Sequence, residues 1–296
     1  STQAKTLFPY TTLFRSMKYM TVKGEKLSQL GLGTWNMGEN ASRREEEIAA
    51  IRYGLSAGVN VIDTSEMYGE GRAESLVGEA IKDLDRSQLF LISKFYPWHA
   101  SPDDQKKSLA ASLKRLGTDY LDLYLLHWKS DYPLAETVKG LQDLQAAGLI
   151  RHWGVSNFDT ADMQELVDIA GEGAVFANED LYNLDKRGVE YDLLPWQKQH
   201  GIAFIGYSPF NSGNGQSIPV KASLKQIADK RGVSVHQVML AWTMRTGQVL
   251  TIPKASSVDH MRANLAAADL VLTAGELAAL DRDYLPPKSK QPLESI

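Results

Sequence analysis

The sequence predicts an α/β protein that folds as a (β/α)8 barrel, a TIM barrel. Eight short apolar runs alternate with longer amphipathic stretches, and no Pro-rich or Ser-rich linker divides them. Strict alternation of strand and helix indicates a parallel sheet. Eight repeats within about 280 residues favour a closed barrel over a doubly wound open sheet.

The elements follow from this pattern in chain order. The predicted strands cover residues 30–35, 59–63, 89–94, 121–127, 150–156, 175–178, 202–208 and 249–252. The predicted barrel helices cover residues 43–57, 74–82, 103–116, 134–147, 160–169, 189–200, 222–231 and 258–268. Glycines such as Gly117 and Gly232 stand where helices should end, and a left-handed glycine is a common helix stop.

Three further segments are predicted outside the eightfold repeat. Residues 22–29 suggest a hairpin, turning at Lys23-Gly24, that closes the bottom of the barrel. Two additional helices are expected at residues 235–246 and 274–283. The Pro-rich tail, residues 286–296, is expected to wrap over the surface or to fray.

The first residues do not fit the barrel pattern. Residues 6–16, TLFPYTTLFRS, have no uninterrupted apolar run, as a secretory signal would require. Their letters match the translated codons of a sequencing adapter without a mismatch. We therefore expect residues 1–16 to be an artefactual leader, with a single domain over residues 17–296. Finding these codons upstream of Met17 in source DNA would contradict this.

Composition excludes several classes of protein. The net charge is -4 and the basic residues are dispersed, which argues against a nucleic-acid surface. There is no cysteine, so disulfides, thiolate zinc sites and cysteine nucleophiles are excluded, and a cytoplasmic protein is favoured. No apolar run approaches the roughly 20 residues of a membrane helix. We expect a soluble monomer without partners among nucleic acids or membranes.

Four chemically useful side chains follow successive predicted strands. Asp63 ends the second, Tyr68 lies in the loop after it, Lys94 ends the third and His127 ends the fourth. Barrel enzymes build their sites at these carboxyl ends. A lysine held by a carboxylate can stabilise a tyrosinate, so the tyrosine can give a proton to an alkoxide while the histidine orients a carbonyl. Each residue alone has an ordinary structural explanation, but four at one rim favour a catalytic site.

At this point the sequence resembles the aldo-keto reductases. The resemblance rests on GLGTW, IDTSEMYG, the Ser93-Lys94 pair, LDLYLLHW, WGVSNF, YSP and IPKAS, in the family's order. YPW, LYLLHW and EYDLLPW are similar to segments of bacterial methylglyoxal and general aldehyde reductases. The resemblance implies that Tyr68 is the acid, that Lys94 and Asp63 tune its pKa, and that His127 orients the substrate.

The resemblance also implies NADPH as cofactor, with NADH possible, and the chain has no G-x-G-x-x-G fingerprint after its first strand. Ser156, Asn157 and Glu179 would hold the nicotinamide carboxamide, and Tyr207 of the Tyr207-Ser208 pair would stack on the ring. Glu179 replaces the glutamine common in the family, and because a carboxylate only accepts hydrogen bonds, the polarity there should change.

The other end of the cofactor would lie after the eighth strand. The resemblance places Lys254 and Ser256 at the adenosine 2′-phosphate and Asn264 at the adenine. His260 stands where the family often has an arginine, and Arg262 should point elsewhere, so discrimination against NADH should be modest. The RREEE run at residues 43–47 is interpreted as a solvated helix start. The loop at residues 211–217 either covers the cofactor pyrophosphate or is a connection without a ligand.

Aromatic residues should wall the substrate pocket. Trp35, Trp98 and Trp128 stand at or just beyond strand ends, and an apolar wall suits small aldehydes. We expect reduction of small aldehydes or 2-oxoaldehydes. Alternatives are a sugar or secondary-alcohol dehydrogenase and a catalytically weak cofactor-sensing subunit. A metal-dependent hydrolase is disfavoured, because the six histidines show neither H-x-H nor H-E-x-x-H spacing.

Overall fold

The computed structural model describes residues 17–211 and 217–296, and the predicted (β/α)8 barrel is confirmed there. A hairpin of β1 (Tyr19–Val22) and β2 (Glu25–Ser28) precedes the barrel. The barrel strands are β3 (Leu32–Gly33), β4 (Val61–Asp63), β5 (Phe90–Phe95), β6 (Leu121–Leu126), β7 (Ile150–Ser156), β8 (Ala177–Leu181), β9 (Ala203–Tyr207) and β10 (Val249–Thr251). Neighbours in the sheet follow chain order and are parallel. Bridges from Leu30 to Thr251 and from Gly33 to Lys254 join the last strand to the first.

Helices separate the strands where the periodicity predicts them. They are α1 (Arg44–Ser56), α2 (Arg72–Ile81), α3 (Pro102–Leu116), α4 (Leu134–Ala146), α5 (Thr160–Ala170), α6 (Leu193–Gln199), α7 (Ala222–Arg231), α8 (Val235–Thr243), α9 (Val258–Ala268) and α10 (Ala274–Asp283). None of these helices is long and apolar enough to cross a membrane. Residues 1–16, predicted to be an artefactual leader, and most of the loop at residues 211–217 lie outside the described residues.

Of the boundaries that differ from the prediction, two have clear physical reasons. α6 begins at Leu193 rather than at residue 189, because Pro195 has no backbone N–H and is tolerated only in a first turn. β8 extends to Leu181 rather than ending at residue 178. The predicted strand ended there because the run of apolar residues is interrupted by Glu179 and Asp180. Both polar side chains are nevertheless buried in the strand.

The hairpin closes the bottom of the barrel, as predicted. Its turn residues Lys23 and Gly24 both have positive φ, which a two-residue type I′ turn requires. Val22 and Leu27 pack against the barrel interior, together with residues such as Phe90. A second and larger core lies between the strands and the surrounding helices. The bottom is thereby filled, which leaves the carboxyl end of the barrel for a site.

The tail crosses the carboxyl end of the barrel without forming a helix or strand. The Lys290 ammonium lies 3.5 Å from an Asp159 carboxylate oxygen and 3.4 Å from one of Asp192. Glu294 accepts a 2.6 Å hydrogen bond from Lys186. Of the two expectations for this segment, wrapping over the surface is the one observed.

Asp180 is a buried carboxyl whose two oxygens have no hydrogen-bond partner within residues 17–211 and 217–296. Burial, and to a smaller extent Asp159, raises the pKa of Asp180 well above its usual range. Stability is therefore lost as the pH rises above the unfolded-state pKa near 4, because only the unfolded chain ionises freely. Each unit of pKa difference costs about 1.4 kcal/mol.

We therefore expect Asp180→Asn to raise the melting temperature at pH 8 and to leave it nearly unchanged at pH 4. For a domain of this size, 1 kcal/mol corresponds to about 2–4 °C. The control is Asp122→Asn, because Asp122 is also buried but pairs with Arg86 at 2.7 Å and Arg151 at 3.1 Å. That variant should be less stable at pH 8. An effect of Asp180→Asn that does not vary with pH would contradict the assignment.

Candidate active site

The four predicted catalytic residues lie together at the carboxyl end of the barrel. Lys94 Nζ in β5 lies 2.5 Å from Asp63 Oδ1 at the end of β4 and 3.1 Å from Tyr68 Oη. His127 follows β6, and its ring meets that of Tyr68 edge-on with centroids 5.8 Å apart. All four side chains are buried. A protonated tyrosine, a cation and an imidazole therefore face one small volume.

The loop after β4 explains why Tyr68 points inward. The Tyr68 N–H donates a 3.1 Å hydrogen bond to the carbonyl of Ser65, which forms a tight turn. Gly69, Glu70 and Gly71 then all have φ between 55° and 84°, a left-handed run that turns the chain into α2. The non-glycine Glu70 in this run is strained, and such strain is common near functional sites.

Lys94 is enclosed by oxygen atoms. Besides Asp63 and Tyr68, its ammonium lies 3.1 Å from the carbonyl oxygen of Thr64 and 3.4 Å from Glu179 Oε1. Burial alone would lower the pKa of Lys94, but the neighbouring carboxyls, Asp63 before Glu179, raise that pKa overall. Lys94 is therefore a permanent cation beside the Tyr68 hydroxyl.

Burial and the Lys94 charge act on the pKa of Tyr68 in opposite directions. Burial raises the pKa of Tyr68 above its ordinary value, and the lowering by Lys94 is the smaller effect. Lys94 lowers the pKa of Tyr68, as expected of a cation that stabilises the phenolate, but burial outweighs this effect. Tyr68 keeps its proton across the neutral range, which a general acid requires, and Lys94 limits the cost of releasing it.

His127 is neutral at this site. Burial lowers the pKa of His127 well below its usual range, and the nearby Lys94 charge lowers it further. Its Nδ1 lies 3.2 Å from the Ser65 hydroxyl. When Ser65 donates to Nδ1, the ring hydrogen is on Nε2, and the imidazole can donate to a carbonyl oxygen. Sequence reasoning missed Ser65, although it lies within the IDTSEMYG segment.

The ends of β7, β8 and β9 form the opposite side of the site. Ser156 Oγ donates a 2.7 Å hydrogen bond to the Glu179 carbonyl. The Asn157 amide donates to the His127 carbonyl at 3.0 Å and accepts from the Tyr207 hydroxyl at 2.7 Å. Asn157 and Ser208 have φ of 61° and 50°, so both backbones are held in a left-handed conformation. These bonds fix the rim around one cavity.

Glu179 competes with Asp63 for the charge of Lys94. Burial and the Asp63 charge raise the pKa of Glu179 well above its usual range. Asp63 has the shorter contact with Lys94, 2.5 Å against 3.4 Å, so the raised pKa favours the protonated form at Glu179. A protonated carboxyl donates a hydrogen bond as glutamine does, whereas a carboxylate only accepts, so the expected change of hydrogen-bond polarity at Glu179 stays a prediction. Its Oε2 is buried without a partner in the described part of the chain.

The predicted adenosine end lies at β10 and α9. Lys254 is exposed and lines the cavity, whereas Ser256 and Asn264 are buried. Asn264 Nδ2 has no hydrogen-bond partner among the residues that the structure describes. Arg262 pairs with Asp259 at 2.6 Å and does not reach Ser256, as expected. Ser256 Oγ instead accepts a 3.0 Å hydrogen bond from Arg43, a contact that sequence reasoning missed.

Two of the three predicted aromatic wall residues line the cavity. Trp35 and Trp128 do so, and Trp128 stacks on His127 with ring centroids 4.0 Å apart. Trp98 does not: its side chain is 69% exposed and stacks on Tyr96 outside the site. The prediction for Trp98 is wrong because the Pro97–His99 turn carries it outward. Residues that the sequence analysis missed also line the cavity, among them Asn36, Met67, Pro209, Phe210 and, from the tail, Ile296.

The barrel and this rim define an oxidoreductase of the (β/α)8 class. The model of the aldo/keto reductase family matches residues 29–284. The chain therefore belongs to the aldo/keto reductase family.

Known proteins are similar in sequence to this chain over most of its length. Methylglyoxal reductase YeaE of Escherichia coli strain K12 is 46% identical over 272 residues, covering 91% of this chain and 95% of that protein. Methylglyoxal reductase DkgA of the same strain is 33% identical over 267 residues, covering 88% and 91%. A Klebsiella pneumoniae aldo-keto reductase crystallised with NADPH is 46% identical with a TM-score of 0.91, covering 95% of this chain and 99% of that one.

Proposed function

We propose that this protein reduces small aldehydes or 2-oxoaldehydes, such as methylglyoxal, to alcohols with NADPH. The observation that carries the proposal is the buried Tyr68 hydroxyl, 3.1 Å from the Lys94 ammonium, which is itself 2.5 Å from Asp63. The names of its relatives support a 2-oxoaldehyde substrate. The proposed setting is a cytoplasmic monomer, which size-exclusion chromatography tests in part.

The residues at the rim fit the proposed cofactor. Two buried polar atoms, Glu179 Oε2 and Asn264 Nδ2, have no partner in the described residues, and each matches a proposed hydrogen bond to the cofactor. The exposed Lys254 provides a positive charge for the 2′-phosphate. In this proposal Ser156, Asn157, Glu179, Tyr207 and Ser208 hold the nicotinamide end, and Lys254, Ser256 and Asn264 hold the adenosine end. NADPH supplies the hydride when bound, and NADH is the weaker alternative.

The chain's own residues supply the rest of the reaction. Tyr68 Oη gives its proton to the carbonyl oxygen as that oxygen gains charge. Lys94 stabilises the resulting phenolate, and Asp63 holds Lys94 in place. Neutral His127 donates a hydrogen bond to the same oxygen, and Trp35 and Trp128 reduce the access of water.

Loss of NADPH absorbance with methylglyoxal and a panel of small aldehydes tests this function, with NADH in parallel. We expect turnover with the aldehydes and a preference for NADPH. NADPH binding without turnover of any carbonyl would instead support a cofactor-sensing subunit. Activity limited to oxidation of sugars or secondary alcohols with an oxidised cofactor would support the dehydrogenase alternative.

A further inference from the structure

We propose that Arg43 is a specificity-determining residue that binds the 2′-phosphate of NADPH from the segment between β3 and α1, beside Ser256. The inference rests on the proposed function, because it assumes that Lys254 and Ser256 lie at that phosphate. It adds a cation from another part of the chain, 213 residues away from Ser256 in sequence.

The position of Arg43 follows from the start of α1. Arg43 is the last residue of a short 3-10 turn, Ala41–Arg43, and α1 begins at the next residue. α1 packs against α9, so the beginning of α1 lies beside the loop that precedes α9. Across this junction Arg43 Nη2 donates a 3.0 Å hydrogen bond to Ser256 Oγ.

The Arg43 guanidinium is available to a ligand. Its side chain is 44% exposed, and its carboxylate contact is the 3.5 Å pair with the exposed Glu46, one turn along the helix. Exposed pairs of this kind are weak and screened by salt. A phosphate that touches Ser256 would therefore meet an arginine with free N–H donors.

The neighbouring arginines are already engaged. Arg44 pairs with Glu79 at 2.5 Å, on the side of α1 that faces α2. Arg262 pairs with Asp259 at 2.6 Å and lies over the Tyr53 ring, 5.5 Å from its centroid. His260 is exposed, and its backbone N–H donates a 3.2 Å hydrogen bond to the hydroxyl of Ser257, which caps α9. Of these side chains, Arg43 is the one that contacts Ser256.

The hydrogen bond from Arg43 also orients the Ser256 hydroxyl. An arginine has donors only, so the serine oxygen accepts and its own hydrogen is left free to donate. That hydrogen can then bond to a phosphate oxygen, which arginine's planar fork also suits. Arg43 and Lys254 would thus supply two charges, and Arg43, just before α1, would compensate for the absence of an arginine at position 260.

The test compares cofactor affinities in Arg43→Gln and in the unmodified protein, by quenching of tryptophan fluorescence. We expect the Kd for NADPH to rise about 10-fold, or 1.4 kcal/mol, and the Kd for NADH to change less than about twofold. The fragment 2′,5′-ADP should weaken similarly, whereas 5′-AMP should not. Arg43→Lys should lose only part of this affinity, because it keeps the charge without the fork.

Arg44→Gln is the matched control, since it removes the adjacent arginine, and it should leave the ratio of the two Kd values unchanged. If Arg43→Gln raised the Kd values for NADPH and NADH equally, Arg43 would only hold the local structure in place, and the inference would be overturned. If Lys254→Met lowers the NADPH preference but Arg43→Gln does not, the inference fails while the proposed phosphate site stands. If the unmodified protein shows no NADPH preference and Lys254→Met changes nothing, the proposed phosphate site itself fails.

Discussion

Replacing Tyr68 with phenylalanine is expected to lower kcat for methylglyoxal reduction by about 10²- to 10⁴-fold. The substitution removes the hydroxyl that lies 3.1 Å from Lys94 and keeps the buried ring in place. The developing oxyanion then loses its proton donor, while most contacts of the cavity remain. Steady-state kinetics measures the loss, and fluorescence quenching should show a Kd for NADPH within about threefold of the original, because the ring is retained.

The matched control for Tyr68→Phe is Tyr132→Phe. Tyr132 also loses a hydroxyl with a hydrogen bond, 2.7 Å to Glu136, but it lies on the surface outside the cavity. We expect its kcat to stay within about twofold of the original, since surface substitutions rarely matter. If Tyr68→Phe retained normal kcat, Tyr68 would not be the proton donor. A loss confined to NADPH affinity would make Tyr68 a binding residue instead.

The local sequence pattern was sufficient to predict the barrel fold and to bring the candidate catalytic residues to one end of it. Strand and helix periodicity depends on near neighbours, and parallel strands bring their carboxyl ends to one rim whatever the loop details. Asp63, Lys94 and His127 could therefore be placed together from their positions after successive strands. Tyr68 was placed at the same rim because it lies in the loop after the second strand, although a loop residue has no periodicity that fixes the direction of its side chain.

Other properties depend on distant packing and could not be predicted. The Arg43–Ser256 contact joins the beginning of α1 to the loop before α9, and no local pattern relates them. The raised pKa of Tyr68 results from burial, which only the assembled site determines. The prediction that Trp98 lines the cavity was wrong because a position after a strand does not determine which way the Pro97–His99 turn faces.

Replacing Lys94 with methionine is expected to destabilise the protein by about 3–5 kcal/mol at pH 8. Asp63 and Glu179 are each only 2% exposed, and Lys94 is the cation between them. Without Lys94 both carboxyls must be protonated to stay buried, so their folded-state pKa values rise further. Stability is then lost as the pH rises above about 4, where the unfolded carboxyls ionise. Chemical denaturation at pH 5 and pH 8 should show the larger deficit at pH 8.

The control for Lys94→Met is Glu179→Gln. This variant removes the carboxyl that Lys94 does not neutralise and leaves Lys94 paired with Asp63. We expect it to be as stable as the original or more so at pH 8, because it removes a buried carboxyl of raised pKa, whose ionisation at that pH favours the unfolded chain. In the double variant Lys94→Met/Glu179→Gln, only Asp63 remains unpaired, so the deficit should be smaller than in Lys94→Met alone. A deficit that is the same at both pH values and in both backgrounds would mean that Lys94 stabilises the barrel by packing and not by charge.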